Sequence, residues 1–376
     1  MKKMYWHRKL FPSYIILLIC LISLLGLYLV QTFKTVRYGE YFYDKLAAAK
    51  TTYTAYNAIK GLRSEKDIKI NTKLDLSKSG LIGDKQSPIT TDYGSIYAKQ
   101  DSVNPNFAAI FVQWLKGDLG LKKGDTVAVT MTGSYPALDI AMLAAIKELQ
   151  LKPLLVFTVG ASNYGANIPG LTWLDMYQYL VKQGIFDYIP VGVSIGGSRD
   201  YGYGLSKEGI KIINDTIKDS GYHFIDSKST IDAINKRMEL YKQHEGKDGV
   251  KAFINVGGSM AAIGLKQVGD STVKPKSISI GVVTSLPVDL IKVDDVAVRY
   301  LKQGIPIVNV RDIGNLVEKY QFPKSPKYQP LVGQGPIYVA LEYNRMYALL
   351  ALVVNIIVLL LAAVLSRKYL ITYKKS

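Results

Sequence analysis

The chain has 376 residues, 48% of them hydrophobic, and a net charge of +17. That composition excludes a disordered or low-complexity polypeptide and leaves enough residues for a large core. The single cysteine, Cys20, excludes an intrachain disulfide, and His7, His223 and His244 are scattered without any C-x-x-C or H-E-x-x-H pattern, so neither a metal centre nor a cofactor is expected.

The chain opens with a membrane signal. Lys2, Lys3, Arg8 and Lys9 form a short segment, 1–9, ahead of residues 10–32, which carry no charge. At about 23 residues this run is long enough to cross the hydrocarbon. A cleaved signal peptide has a shorter apolar region and a small-residue exit. Here Tyr28, Leu29, Val30 and Gln31 fill the exit, which predicts an uncleaved anchor. Residues 33–63 read as a helical stalk. Within it residues 40–63 look helical: no breaker occurs there before Gly61, and Phe42, Leu46, Ala49, Tyr53 and Tyr56 follow a four-three-four-three spacing. Two heptads are too few to define a coiled coil, and packing onto the following domain is the commoner outcome for such a helix.

Residues 64–343 alternate between apolar, β-branched runs and amphipathic stretches. Strands are predicted at Thr126–Thr130, Leu154–Val159, Tyr188–Ile195, Ala252–Val256, Ser277–Val283 and Ile305–Val310. Helices are predicted at Ala137–Leu149, Trp173–Gln183, Ser206–Ser220, Ser229–His244 and Val293–Gln303. This alternation predicts an α/β fold with a mainly parallel sheet and helices on both faces.

A second apolar run, 346–365, is interrupted only by Asn355, which either bonds a neighbouring helix or marks a contact with a membrane partner. Lys34 and Arg37 follow the first span and Arg345 precedes the second, whereas Arg367, Lys368, Lys374 and Lys375 fall in the last segment, 366–376. The heavier cationic flanks are the two chain ends, so both ends are expected in the cytoplasm and the domain outside the cell membrane. Removing those eleven terminal cations from +17 leaves +6 for residues 38–343, which hold every acidic residue. The net charge is therefore mainly a membrane signal. It is read as lipid-facing charge and solvated surface, and nucleic acid is not an expected partner.

The ends of the predicted strands carry the functional signal. They read Thr132-Gly133-Ser134, Gly160-Ala161-Ser162, Gly196-Gly197-Ser198, Gly257-Gly258-Ser259 and Thr284-Ser285. In an open parallel sheet these ends share one edge, where ligands bind beyond the strand carboxyl ends. Glycine admits close backbone approach, serine adds a hydroxyl, and helix N-termini favour anions. The same residue types also serve ordinary strand-to-helix turns. The ligand-binding candidates are Gly133, Ser134, Gly160, Ser162, Asn167, Gly196, Gly197, Ser198, Arg199, Gly257, Gly258 and Ser259.

Chemistry is less defined. Ser134 lies in Thr132-Gly133-Ser134-Tyr135-Pro136, which is not G-x-S-x-G, and it reads first as a helix N-cap. Ser134, Asp175 and Asp200 are the catalytic candidates, and Asp139 and Arg199 also follow strand ends where they can serve as acid, base or anion clamp. No G-x-x-x-x-G-K-[ST] loop is present, which argues against ATP hydrolysis.

Several ordered motifs, spread over roughly residues 40–320, carry a family resemblance. Leu81-Ile82-Gly83-Asp84 is followed by Ile89-Thr90-Thr91, then Asn104-Pro105-Asn106-Phe107-Ala108-Ala109 and Gly133-Ser134-Tyr135-Pro136-Ala137-Leu138. Tyr164-Gly165-Ala166-Asn167 with Thr172-Trp173-Leu174-Asp175 completes the set. These resemble the poly-γ-glutamate system protein family, membrane proteins associated with making or exporting an anionic capsule or secreted polymer. The resemblance implies membrane synthase or exporter subunits as partners, with the anionic polymer as a ligand, and carries no catalytic residues. This chain has Tyr135 and Asp139 where the family tends to have Phe and Asn, and Asp139 adds an acidic group close to a site expected to take a polyanion. Two functions follow as expectations: an accessory subunit that binds polymer or partners, and an extracytoplasmic hydrolase or transferase acting on γ-glutamyl amides. A small-molecule receptor domain is a third.

Overall fold

In the computed structural model, residues 13–197, 199–264 and 278–373 are described. Ser198, Ser277, His7 and the terminal cations Lys2, Lys3, Arg8, Lys9, Lys374 and Lys375 lie outside the described residues. Two units emerge, Glu40–Tyr338 and the flanking segments up to Gly39 and from Val339 onward.

The central unit is α/β. In chain order it contains α1 (Phe42–Glu65), α2 (Ile96–Ser102), α3 (Phe107–Val112), β1 (Thr126–Thr132), α4 (Pro136–Glu148), β2 (Lys152–Thr158), α5 (Trp173–Lys182), β3 (Gly192–Ser194), α6 (Lys207–Ser220), α7 (Thr230–His244), β4 (Val250–Val256), β5 (Gly281–Val283), α8 (Val296–Lys302), β6 (Ile307–Val310) and α9 (Ile313–Lys319). The six strands form one sheet in the order β3-β2-β1-β4-β6-β5. Every neighbouring pair is parallel except β5 with β6. The chain builds outward from β1 through β2 to β3, then returns to the other side of β1 as β4. Strand order thus reverses between β1 and β4, and a crevice opens outside their carboxyl ends.

Alternation along the strands divides the core into two layers. Ala128, Leu154, Val156 and Phe253 pack with Ala233, Ile234 and Tyr241 of α7 and Val298 and Tyr300 of α8. Phe157 points the other way, with its ring centroid 5.6 Å from Trp173 and 4.8 Å from Tyr177 of α5. Tyr241 ties α7 to the central strand, because its hydroxyl lies 2.9 Å from Thr130 Oγ1 and donates to the Val129 carbonyl at 3.0 Å.

Three expectations change. Residues 42–65 are helical but belong to the central unit and do not form a separate stalk. Ala48, Ala49, Thr52, Ala55, Tyr56, Ile59 and Leu62 are buried in a continuous 3.6-residue stripe, while Tyr53 of the anticipated heptad seam is exposed. Tyr56 fixes the packing by donating to the Ala137 carbonyl at 3.0 Å. The strand expected at Tyr188–Ile195 contracts to Gly192–Ser194, since Pro190 has no N–H to give a ladder. Finally, β5 runs antiparallel with Val283 opposite Ile307, so its carboxyl end and Thr284-Ser285 sit at the amino edge of β6. That turn therefore does not join the others. Helix α3 had no periodicity to reveal it, because all six of its residues are buried.

The flanking unit consists of two helices, Ser13–Thr32 and Arg345–Tyr373, and two strands, Lys34–Tyr38 and Val339–Tyr343. Both helices contain windows long and apolar enough to cross a membrane. They meet at small residues: a Cβ on Gly26 would lie 3.3 Å from Ala351 Cβ. Asn355 is satisfied inside the chain, accepting from Ser23 Oγ at 2.5 Å and donating to the Ala351 carbonyl at 2.8 Å. The strands pair antiparallel with Lys34 opposite Tyr343 and Tyr38 opposite Val339, a ribbon inside the segment that had read as stalk.

Tyr241→Phe is expected to lower the unfolding free energy by about 1–3 kcal/mol, because the buried Thr130 hydroxyl loses its partner. Urea unfolding of the full chain in detergent, followed by tryptophan fluorescence, measures the change.

Candidate functional site

The turns at the carboxyl ends of β1, β2, β3, β4 and β6 surround a cavity of about 420 Å³ at the point where strand order reverses. Ser134, Gly160, Ser162, Gly196, Gly197, Arg199, Asp200, Gly257, Gly258 and Ser259 all line it. The turns are narrow because their backbones touch one another. A Cβ on Gly160 would lie 2.5 Å from Thr91 Cγ2 and 2.9 Å from the Ile195 carbonyl. Gly257 has φ +99°, and a side chain there would run into Thr132 Oγ1.

Three of the expected residues lie behind the wall instead. Gly133 donates to the Thr158 carbonyl at 3.1 Å and accepts from Ala166 at 2.7 Å, which spaces the first two turns. Asn167 accepts from Asp84 N–H at 3.0 Å and donates to the Asp84 carbonyl at 2.8 Å and Thr90 Oγ1 at 2.9 Å, anchoring the segment that leads to Thr91. Asp175 forms a capping box with Thr172 at the start of α5. None of the three lines the cavity, so Asp175 has no place in its chemistry. Ser198 lies outside the described residues.

Other lining groups are not among the binding candidates the strand ends offer. The segment Thr91–Ser95 closes one side, held by Thr91 N–H on the Ala161 carbonyl at 2.8 Å and Gly94 N–H on Asn163 Oδ1 at 3.0 Å. Arg311 and Asp312 follow β6 directly. Arg311 was within reach of the strand-end rule, because it is the first residue after the predicted strand Ile305–Val310. Burial holds its guanidinium below the usual arginine range, with Tyr135 and Asp312 opposing that shift. Among the described residues its guanidinium makes no hydrogen bond or ion pair. Arg199, at φ +67°, lays its guanidinium 4.3 Å from the Tyr203 ring centroid.

Two buried charge clusters support the turns. Asp200, also at φ +67°, pairs with Arg237 of α7, and both side chains are almost wholly buried. Arg237 Nη2 also donates to Ser194 Oγ at the end of β3, at 2.8 Å. Burial pushes the Asp200 carboxyl above the ordinary aspartate range, and the Arg237 guanidinium draws it back. Asp200 is thus committed to holding a loop of left-handed residues against α7.

The second cluster centres on Lys99 of α2, which is 2% exposed. Its Nζ lies 2.9 Å from Ser162 Oγ, donates to the Ser134 carbonyl and sits 3.7 Å from the Tyr135 ring centroid. Asp139 of α4 is fully buried and is the charge that faces Lys99. Burial brings the Lys99 amine down to about 7, against the pull of Asp139. Burial likewise lifts the Asp139 carboxyl well above its usual range, opposed by Lys99. The acidic group expected near the site is therefore sealed beneath it and faces a lysine. Ser134 also departs from expectation. Tyr135 takes the N-cap position of α4, and Ser134 Oγ accepts from the Ser162 N–H at 3.1 Å. Ser162, which also lines the cavity, is the serine whose Oγ lies against a base. Among the described residues no group of three His, Cys, Asp or Glu side chains is placed to hold a metal ion.

Comparison of the chain with family profiles, with curated proteins and with solved structures finds no match.

Asp200→Ala is expected to cost about 3–5 kcal/mol, since it strands the Arg237 guanidinium in the core. Asp200→Ala combined with Arg237→Met is expected to recover most of that loss. Paired denaturation curves of the two variants check this, and equal destabilisation in both would show that the ion pair does not hold the loop.

Proposed function

We propose that the chain is a two-pass membrane protein that acts as an accessory component of poly-γ-glutamate synthesis or export, and that the cavity takes a carboxylate-bearing segment of the polymer. The observation that carries this reading is Arg311, a half-buried guanidinium with no hydrogen bond or ion pair among the described residues, which lines a cavity walled by glycine and serine turns. Arginine recognises carboxylates through a planar fork of donors, and the partial burial of Arg311 strengthens that contact. Arg199 adds a second cation at the mouth. Asp92 and Asp312 also line the cavity, so a bound carboxylate is placed at Arg311 and away from these two acids. The motifs that resemble the poly-γ-glutamate family supply the identity of the polymer.

The two apolar helices act as anchors. The cation-rich chain ends remain on the cytoplasmic side, and the central unit stands on the outer face, where membrane synthase or exporter subunits are its partners. A second reading, hydrolysis or transfer at γ-glutamyl amides, draws support from the Ser162–Lys99 contact.

Detergent-solubilised full-length protein is expected to bind poly-γ-glutamate in a salt-sensitive manner, and Arg311→Ala to weaken binding by about 10-fold or more, the usual effect of deleting a charge-assisted bond. Equal affinity in Arg311→Ala, read by isothermal calorimetry, would remove this assignment. For topology, protease added to right-side-out vesicles is expected to digest the central unit and to spare it in inside-out vesicles.

A further inference from the structure

We propose that Ser162 is an acyl-accepting nucleophile and Lys99 its general base, which makes the cavity an acyl-transfer site. Ser162 lines the cavity on the turn after β2, and its Oγ lies 2.9 Å from Lys99 Nζ. Nucleophile and base within hydrogen-bond reach, with the base itself oriented, is the arrangement that activates a hydroxyl.

As an ammonium, Lys99 Nζ has three hydrogens for three acceptors and donates to Ser162 Oγ; loss of a proton reverses that bond. A neutral amine has two hydrogens and one lone pair. The Ser134 carbonyl can only accept, and so can the face of the Tyr135 ring. In the neutral form those two partners use both hydrogens, and the lone pair accepts from the Ser162 hydroxyl. Burial, which brings this amine down to about 7, keeps a substantial neutral fraction at neutral pH. The charged group facing Lys99 is Asp139 on α4, and the titratable ring over it is Tyr135. The nucleophile is fixed from both sides: its own N–H is held by Ser134 Oγ at 3.1 Å, and the preceding Ala161 carbonyl by Thr91 N–H at 2.8 Å. Such preorganisation keeps the hydroxyl in line with the base.

The reaction balances without any added oxidant or cofactor. Ser162 Oγ bonds to the acyl carbon of an amide while its proton moves to Lys99 Nζ. Collapse of the tetrahedral adduct breaks the carbon–nitrogen bond, and Lys99 returns the proton to the departing amine. Water then cleaves the seryl ester to release a carboxylic acid and restore Ser162, or a second amine takes the acyl group instead. An acyl chain bearing a carboxylate is the substrate class; this part alone rests on the Arg311 reading above.

The test uses the full chain in detergent and a fluorophosphonate probe, between pH 5.5 and 9. One adduct is expected on Ser162 by peptide mass mapping, absent in Ser162→Ala, with a labelling rate that rises through a midpoint near 7. Asp139 Oδ1 and Oδ2 make no hydrogen bond among the described residues, and Lys99→Met also removes the cation that faces them, so Lys99→Met with Asp139→Asn is the variant to compare. It is expected to label about 100-fold more slowly while keeping a cooperative melt. Wild-type protein that melts cooperatively yet takes no label on Ser162, or a folded double variant that labels at the wild-type rate, overturns the assignment. The probe needs no polymer. Labelling without poly-γ-glutamate binding would therefore sink the polymer reading alone, and polymer binding without labelling would sink the nucleophile alone.

Discussion

Charge taken out of water beneath the carboxyl edge of the sheet constrains everything above it. Removing a carboxylate or ammonium from water costs several kcal/mol even after relaxation, so each such group must meet an opposite charge or a set of hydrogen-bonding partners. Lys99 meets this need with the Ser134 carbonyl, Ser162 Oγ and the Tyr135 ring, with Asp139 facing it. Those contacts join α2 to the turns after β1 and β2. Asp200 and Arg237 do the same for α7 and the turn after β3. The turns are therefore not free loops resting on a finished sheet. Their conformations are tied to the contacts that Lys99, Asp200 and Arg237 make beneath them.

The same arrangement separates two kinds of polar residue at one rim. Asp200, Gly133, Asn167 and Asp175 spend their polar groups inward, on loop spacing and helix caps. Arg311 and Ser162 line the open space. A loop carrying left-handed residues at Arg199 and Asp200 stores backbone strain of about 1–3 kcal/mol for each. The Asp200–Arg237 pair keeps that conformation in place, and with it the position of Arg199 at the mouth.

Much of the architecture was legible. Strands buried on both faces read as apolar runs, and turn residues punctuate them, so the alternation and the shared glycine–serine edge are readable in the sequence itself. The direction of β5 could not, because an edge strand of three residues carries no pattern that distinguishes parallel from antiparallel. Helix α3 was invisible for a related reason: Phe107 to Val112 is apolar on every side, and periodicity needs a wet face. The key member of the site was hidden by its residue type. Lys99 lies in a seven-residue helix with no apolar stripe, and lysine ordinarily points to solvent. Nothing local announces that Ser162, 63 positions later, will sit against it. Ser134 misled for the opposite reason. Its place between strand and helix suits an N-cap, but the tertiary contact with Ser162 took its hydroxyl.

The antiparallel ribbon between Lys34–Tyr38 and Val339–Tyr343 has a thermodynamic consequence beyond the membrane. It fastens the two ends of a segment of roughly 300 residues to each other, as a clasp closes a necklace. While the clasp holds, the unfolded central unit is a ring instead of an open chain. Closing a ring of that size removes on the order of 5 kcal/mol of conformational freedom from the denatured ensemble. A protein without a single disulfide thus gains some of what a crosslink provides, by keeping its beginning and its end side by side.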